Sequence, residues 1–223
     1  MYLRKMTLIV IIAIIASFSI RTFATVFPQI FKNISIVKAA IVINGLFILS
    51  HLLFWLIFYL EYISAKKVTL KKTCLLAIAG SFAVSVIYMK KLPYVFGMNI
   101  HFPPVFLNPY YDALVPLMSS VFHLIFFVAF KKSLELDEKA RLSKPLVSII
   151  FGISIYICLH LIVLFNFFTT DRFEWLEHVP RVVAVSTVPF IIVAVCLMLF
   201  FYYRFYHFLD TGDNIETGNE RSS

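Results

Sequence analysis

The stretch AAIVINGLFILSHLLFWLIFYL, residues 39–60, decides the fold, because it runs for 22 residues without a charge. At 1.5 Å per residue a helix of that length reaches about 33 Å, enough to cross the hydrocarbon core of a bilayer. Comparable runs recur along the chain, giving spans near 7–27, 37–60, 73–89, 113–130, 146–168 and 182–203. The composition agrees: 61% of the 223 residues are hydrophobic and 14% charged, where a soluble domain has roughly half and about a quarter. The chain reads as an all-α polytopic membrane protein, a six-transmembrane-helix bundle over residues 1–208. Residues 209–223, with Asp210, Asp213, Glu216 and Glu220 among Thr, Gly, Asn and Ser, read as a disordered cytoplasmic tail. A disordered chain, a collagen, a disulfide scaffold and a large soluble catalytic domain are all excluded.

The net charge of +8 is distributed unevenly between the loops. Thirteen cations fall at the termini and after the second and fourth spans, among them Lys66, Lys67, Lys71, Lys72, Lys131 and Lys132. Six fall on the other side: Lys32, Lys38, Lys90, Lys91, Arg172 and Arg181. The positive-inside rule then places both termini in the cytoplasm, and the expected partner of these cations is the anionic headgroup surface rather than nucleic acid. Met1 to Lys5 followed by an apolar run up to Ala24 also has the form of a cleavable signal sequence. Asn33-Ile34-Ser35 is a glycosylation sequon close to the membrane. Cys74, Cys158 and Cys196 share no metal spacing and read as small core residues.

Sliding the chain by 72 positions aligns His51 with His123, Phe54 with Phe126, Phe58 with Phe130, Lys67 with Lys139 and Gly80 with Gly152. Nine of the thirty-five pairs beginning at positions 51–85 are identical. Phe27-Pro28 and Phe102-Pro103 precede the second and fourth spans in the same way, with Val179-Pro180 a fainter third copy. The pattern suggests three repeated helical hairpins, or else convergence of interfacial Pro and aromatic residues. Pro28-Gln29 resembles the motif of the PQ-loop transporters. The other copies read Pro103-Pro104 and Pro180-Arg181, and the charge bias puts this loop outside, so the family's properties are not carried over.

Ionisable residues at depth are expensive in lipid and mark candidate sites. They are Arg21, His51, His123 and His160. Arg21 lies near its span end and can snorkel. His51 and His123 stand ten and eight residues before Glu61 and Lys131, which places both roughly 12 to 15 Å from the inner surface. Such a pair can serve as axial ligands of haem b, bind a metal, or make interhelical hydrogen bonds. His160 is expected nearer the outer side, out of that plane. Asn44-Gly45, Pro116 and Pro189 would each weaken an inward-running helix at similar depth, a pointer to a ligand site. On the outer side Asp171, Glu174 and His178 share a helical face, a weak divalent-metal candidate against a solvated polar face.

No catalytic constellation is present, so the expected function is non-enzymatic. The main reading is a bundle that binds a partner protein or an apolar ligand within the bilayer, as an accessory subunit or sensory input module. The alternatives are a small-solute transporter, which would be expected to form a homodimer, and a b-type cytochrome subunit. The absence of any intramembrane acid weighs against carboxylate-based ion coupling.

Overall fold

The computed structural model describes residues 2–26, 34–98, 109–170 and 181–219, and among these it is helical with no strand. The long helices are α1 (Tyr2–Val26), α2 (Ile34–Phe58) and α3 (Lys71–Met89). After the short α4 (Leu92–Phe96) come α5 (Pro109–Lys132), α6 (Leu136–Thr170) and α7 (Arg181–Asn219). Gly97 ends α4 at φ 67°, the left-handed cap for which glycine has no Cβ penalty. Six helices are long and apolar enough to cross a membrane.

Two boundaries differ from expectation. Helix α6 begins at Leu136 instead of near 146. Its start is held by the Glu135 backbone N–H, which donates to Glu138 Oε2 at 3.0 Å, and Asp137 and Glu138 suit the positive end of the helix dipole. Helix α7 continues to Asn219, past the expected end at residue 208, because extending a formed helix costs far less than nucleating one.

Each long helix packs extensively on its neighbours in chain order, and α7 returns to α1, so the six close into a ring. The most extensive pairings are within the hairpins α6–α7, α3–α5 and α1–α2. Two of these hairpins rest on a glycine. A Cβ on Gly80 of α3 would lie 2.9 Å from Ser119 Cα on α5, and one on Gly152 of α6 would lie 2.9 Å from the Ala194 carbonyl oxygen on α7. Small residues at such crossings let backbones approach closely, which matters where packing rather than water exclusion holds helices together. The outer faces carry large apolar side chains, including Phe82, Phe151 and Phe165. Cys158 and Cys196 also face outward, and of the cysteines only Cys74 is buried. The expectation that all were core residues fails because, in helices apolar all round, composition does not say which face turns in.

Near the end of the ring that holds Tyr2, aromatic rings fill the axis. Helices α2, α5 and α7 each contribute a Phe pair one turn apart: Phe54 and Phe58, Phe126 and Phe130, Phe201 and Phe205, all buried. Phe58 is the hub, with ring centroids 5.7 Å from Phe126, 5.9 Å from Phe130 and 5.6 Å from Phe205, all edge-on. Edge-to-face pairs contribute about 0.5 to 1.5 kcal/mol each beyond area burial.

Beyond the aromatics, polar bonds join the helix ends. The Leu3 backbone N–H donates to Glu61 Oε2 at 2.9 Å, and Arg4 pairs with Asp210 at 2.6 Å. Glu61 and Tyr62 lie in a π-helical turn, Tyr59–Ile63, that continues α2, and the turn buries Tyr62 and Ile63. Lys67 is buried, its side chain 5% exposed, between Glu138 at 2.7 Å and Glu135 at 2.8 Å, and it also donates to the Ser133 carbonyl at 3.2 Å. Tyr62 O–H donates to the same Glu138 at 2.6 Å. Burial works against the Lys67 charge, but its hydrogen bonds to Glu135 and Glu138 outweigh that cost and hold its pKa above the ordinary lysine value. This lysine, counted above among the loop cations, is satisfied within the protein.

Candidate functional site

Above the aromatic layer all six long helices line a cavity of about 370 Å³. Its wall is largely apolar, with Ile14, Ile87, Ile153 and Val195 among the contributors, and Ser17, Ser119 and Ser120 give it scattered polar points. Near its far end Lys90 and Asp112 form an ion pair at 2.5 Å that ties α3 to α5. A cavity of this volume, mostly apolar with a few convergent polar groups, has the character of a small-molecule site.

The floor is built around the two histidines. His51 on α2 and His123 on α5 lie with ring centroids 5.1 Å apart at 40°. Matching depth on helices of the same direction predicted that they could meet, and they do. Trp55, one turn beyond His51, packs its indole 4.9 Å from the His123 ring and donates its Nε1–H to His51 Nε2 at 3.3 Å. His123 Nδ1 lies 2.6 Å from the Ser119 carbonyl, and its Nε2 lies 3.0 Å from Ser81 Oγ on α3.

These partners assign the tautomers. A carbonyl only accepts, so His123 carries its proton on Nδ1 and its Nε2 accepts from Ser81; an indole N–H only donates, so His51 Nε2 accepts and Nδ1 carries the proton. A neutral imidazole has one lone pair, and each ring has committed its own. In this arrangement neither ring offers a lone pair to an iron, to another metal, or to a proton on a substrate. Among the described residues no three His, Cys, Asp or Glu side chains come together as a metal site.

The other sequence candidates are placed as follows. Pro116 lines the cavity, in the interior of α5 rather than in its first turn, since the helix begins at Pro109. His160 lines the same cavity, its Nδ1 donating to the Tyr156 carbonyl at 2.9 Å. Asn44 is not at the cavity: it accepts from Ser17 Oγ at 2.6 Å and donates to the Ala40 carbonyl at 2.8 Å, linking α2 to α1. Pro189 faces outward from α7. Helices α2, α5 and α7 are continuous through Asn44-Gly45, Pro116 and Pro189, so none is broken there. Asp171, Glu174 and His178 lie outside the described residues, as does the side chain of Arg21.

No known protein family, curated protein or solved structure matches the chain. The site therefore has to be read from its own chemistry. Sequence reasoning missed Tyr202, Trp55 and Ser81. Tyr202 sits in the run Phe200-Phe201-Tyr202-Tyr203, where nothing local distinguishes the ring at the cavity from those around it. Ser81 follows Gly80, the one signal that a close helix crossing lay beside it.

Proposed function

We propose that this chain is a non-enzymatic, multi-pass membrane protein, with both termini cytoplasmic, that binds an apolar ligand in the cavity enclosed by its six helices. The observation that carries the reading is that cavity: about 370 Å³, with a mostly apolar wall and His51 and His123 at its floor. Both lone pairs at the floor are engaged, which favours binding over general-base or metal chemistry. The charge bias supports the orientation, and the apolar exterior supports insertion in lipid.

The pairing of Phe54 with Phe126 and of Phe58 with Phe130, together with the matched roles of Gly80 and Gly152, supports descent from a repeated hairpin. On this reading the third hairpin keeps the aromatic pair as Phe201 and Phe205. Such a bundle can serve as a sensory input module or an accessory subunit, in which case a stoichiometric membrane partner should co-purify in mild detergent.

The test is direct binding. Trp175→Phe leaves Trp55, beside His51, as the only tryptophan. With this variant in lipid nanodiscs, cyclododecane should change the Trp55 emission saturably. Ser120→Phe, which fills part of the cavity, should abolish saturation while the protein still elutes as a single species. A linear, unsaturable response that S120F leaves unchanged would refute the reading.

A further inference from the structure

Most polar groups along the cavity are already matched. Ser17 donates to Asn44, Ser120 to the Pro116 carbonyl, and Tyr88 O–H to the Ile41 carbonyl at 2.8 Å. The floor differs. His51 Nδ1–H, whose proton is assigned by the Trp55 bond on the opposite nitrogen, has no hydrogen-bond acceptor among the described residues. The Tyr202 hydroxyl has none either, although that residue is only 3% exposed. Both residues line the cavity. The Tyr202 ring packs edge-on at 5.3 Å from Phe54, which stands three residues along α2 from His51. Both residues open onto the cavity, so what can accept from their donors is an occupant of the cavity.

Resting on the reading of the cavity as a ligand site, we propose that the ligand is a neutral apolar molecule bearing a carbonyl oxygen, which His51 Nδ1–H and Tyr202 O–H bind at the floor. A carbonyl oxygen is acceptor-only and has two lone pairs, one for each donor. An anion is disfavoured because a buried negative charge needs a paired cation. Lys91, the cation lining the cavity, stacks instead on the Tyr88 ring at 5.3 Å, on α3 near the far end. A plain hydrocarbon would fill the same volume and leave both donors unpaired. The rest of the molecule lies along the isoleucine and valine wall, and the ketone, ester and quinone classes all fit this description.

The experiment compares cyclododecanone with cyclododecane, a pair of matched size that differs in the carbonyl, using Trp55 emission of W175F protein in nanodiscs and concentrations corrected for partition into lipid. The ketone should bind about tenfold or more tighter, since each net hydrogen bond is worth about a factor of five. Y202F, which removes only the hydroxyl, should cut that preference about fivefold. H51F should do the same and H51Q, which keeps a donor and an acceptor, should restore part of it; should H51F fail to fold, Y202F alone decides. Equal affinity for both probes would overturn the carbonyl assignment while leaving the apolar-ligand reading intact. A ketone preference untouched by Y202F would overturn the role of the floor donors. Saturable binding of neither probe would overturn both this assignment and the reading on which it rests.

Discussion

Replacing Lys67 by Met tests whether the charged cluster near the termini holds the bundle together. Methionine keeps the apolar stem and deletes the ammonium, so the loss is electrostatic rather than a cavity. Lys67 is 5% exposed, whereas its partner Glu135 is 78% exposed and Glu138 16%. Glu135 returns to water on losing its partner and contributes little. Glu138 does not; it is left with the Tyr62 hydroxyl and the Glu135 backbone N–H while still largely enclosed. Removing one member of a buried pair costs about 3 to 5 kcal/mol, and partial access of water to this one lowers the expectation to about 2 to 3 kcal/mol. Titration of mixed micelles with SDS, followed by circular dichroism, measures the change. E138Q and the K67M/E138Q double variant complete a cycle whose coupling should be at least about 1 kcal/mol. The pH dependence has a definite sign. The folded pKa of Lys67 lies above its ordinary value, so its contribution is whole below about pH 10.4 and is lost as the pH rises through the folded value. The gap between wild type and K67M should therefore be flat from neutral pH to about pH 10 and narrow above that. A loss under about 1 kcal/mol, or additivity of the two single changes, would refute the assignment of Lys67 and Glu138 as a structural clamp.

The glycine crossings predict a graded series. G80A and G152A each drive a Cβ to 2.9 Å from a neighbouring helix and should cost about 1 to 3 kcal/mol, whereas G45A meets only the edge of the Tyr88 ring at 3.4 Å and should be neutral or slightly stabilising. Phe58→Ala empties the hub of the aromatic layer and should cost about 3 to 5 kcal/mol by the same unfolding assay. Phe82→Ala, at a side chain 59% exposed on the outer face, should change stability by less than about 0.5 kcal/mol. For orientation, a fluorescent protein fused after Ser223 should be bright, and an alkaline phosphatase in the same place, which folds only outside the cytoplasm, should be inactive; the reverse pattern would invert the topology.

Hydropathy alone determined that there are six apolar helices and roughly where each lies, because crossing hydrocarbon sets a length and a composition that any window of the chain can be tested against. Depth was legible too. Counting residues from the charged helix ends put His51 and His123 at one level, and they meet there, 5.1 Å apart. Direction around the helix axis was not legible. Outer faces that meet an apolar exterior and inner faces that meet Phe and Ile use the same residue types, so no amphipathic period marks the inside. That is why Pro189 and Cys196, read as inward, face out, and why Tyr202 could not be told from Tyr203 beside it. Long-range pairing was equally hidden. Lys67 has the same local sequence character as its neighbours Lys66 and Lys71, and only the ring, which brings α6 and its preceding turn against the end of α2, supplies Glu135 and Glu138 to it. The histidine tautomers follow from Trp55 and the Ser119 carbonyl one turn away on the same helices, but Ser81 reaches His123 from α3 and Tyr202 reaches the cavity from α7. Residues that far apart in the chain share chemistry only once tertiary packing has brought their helices together.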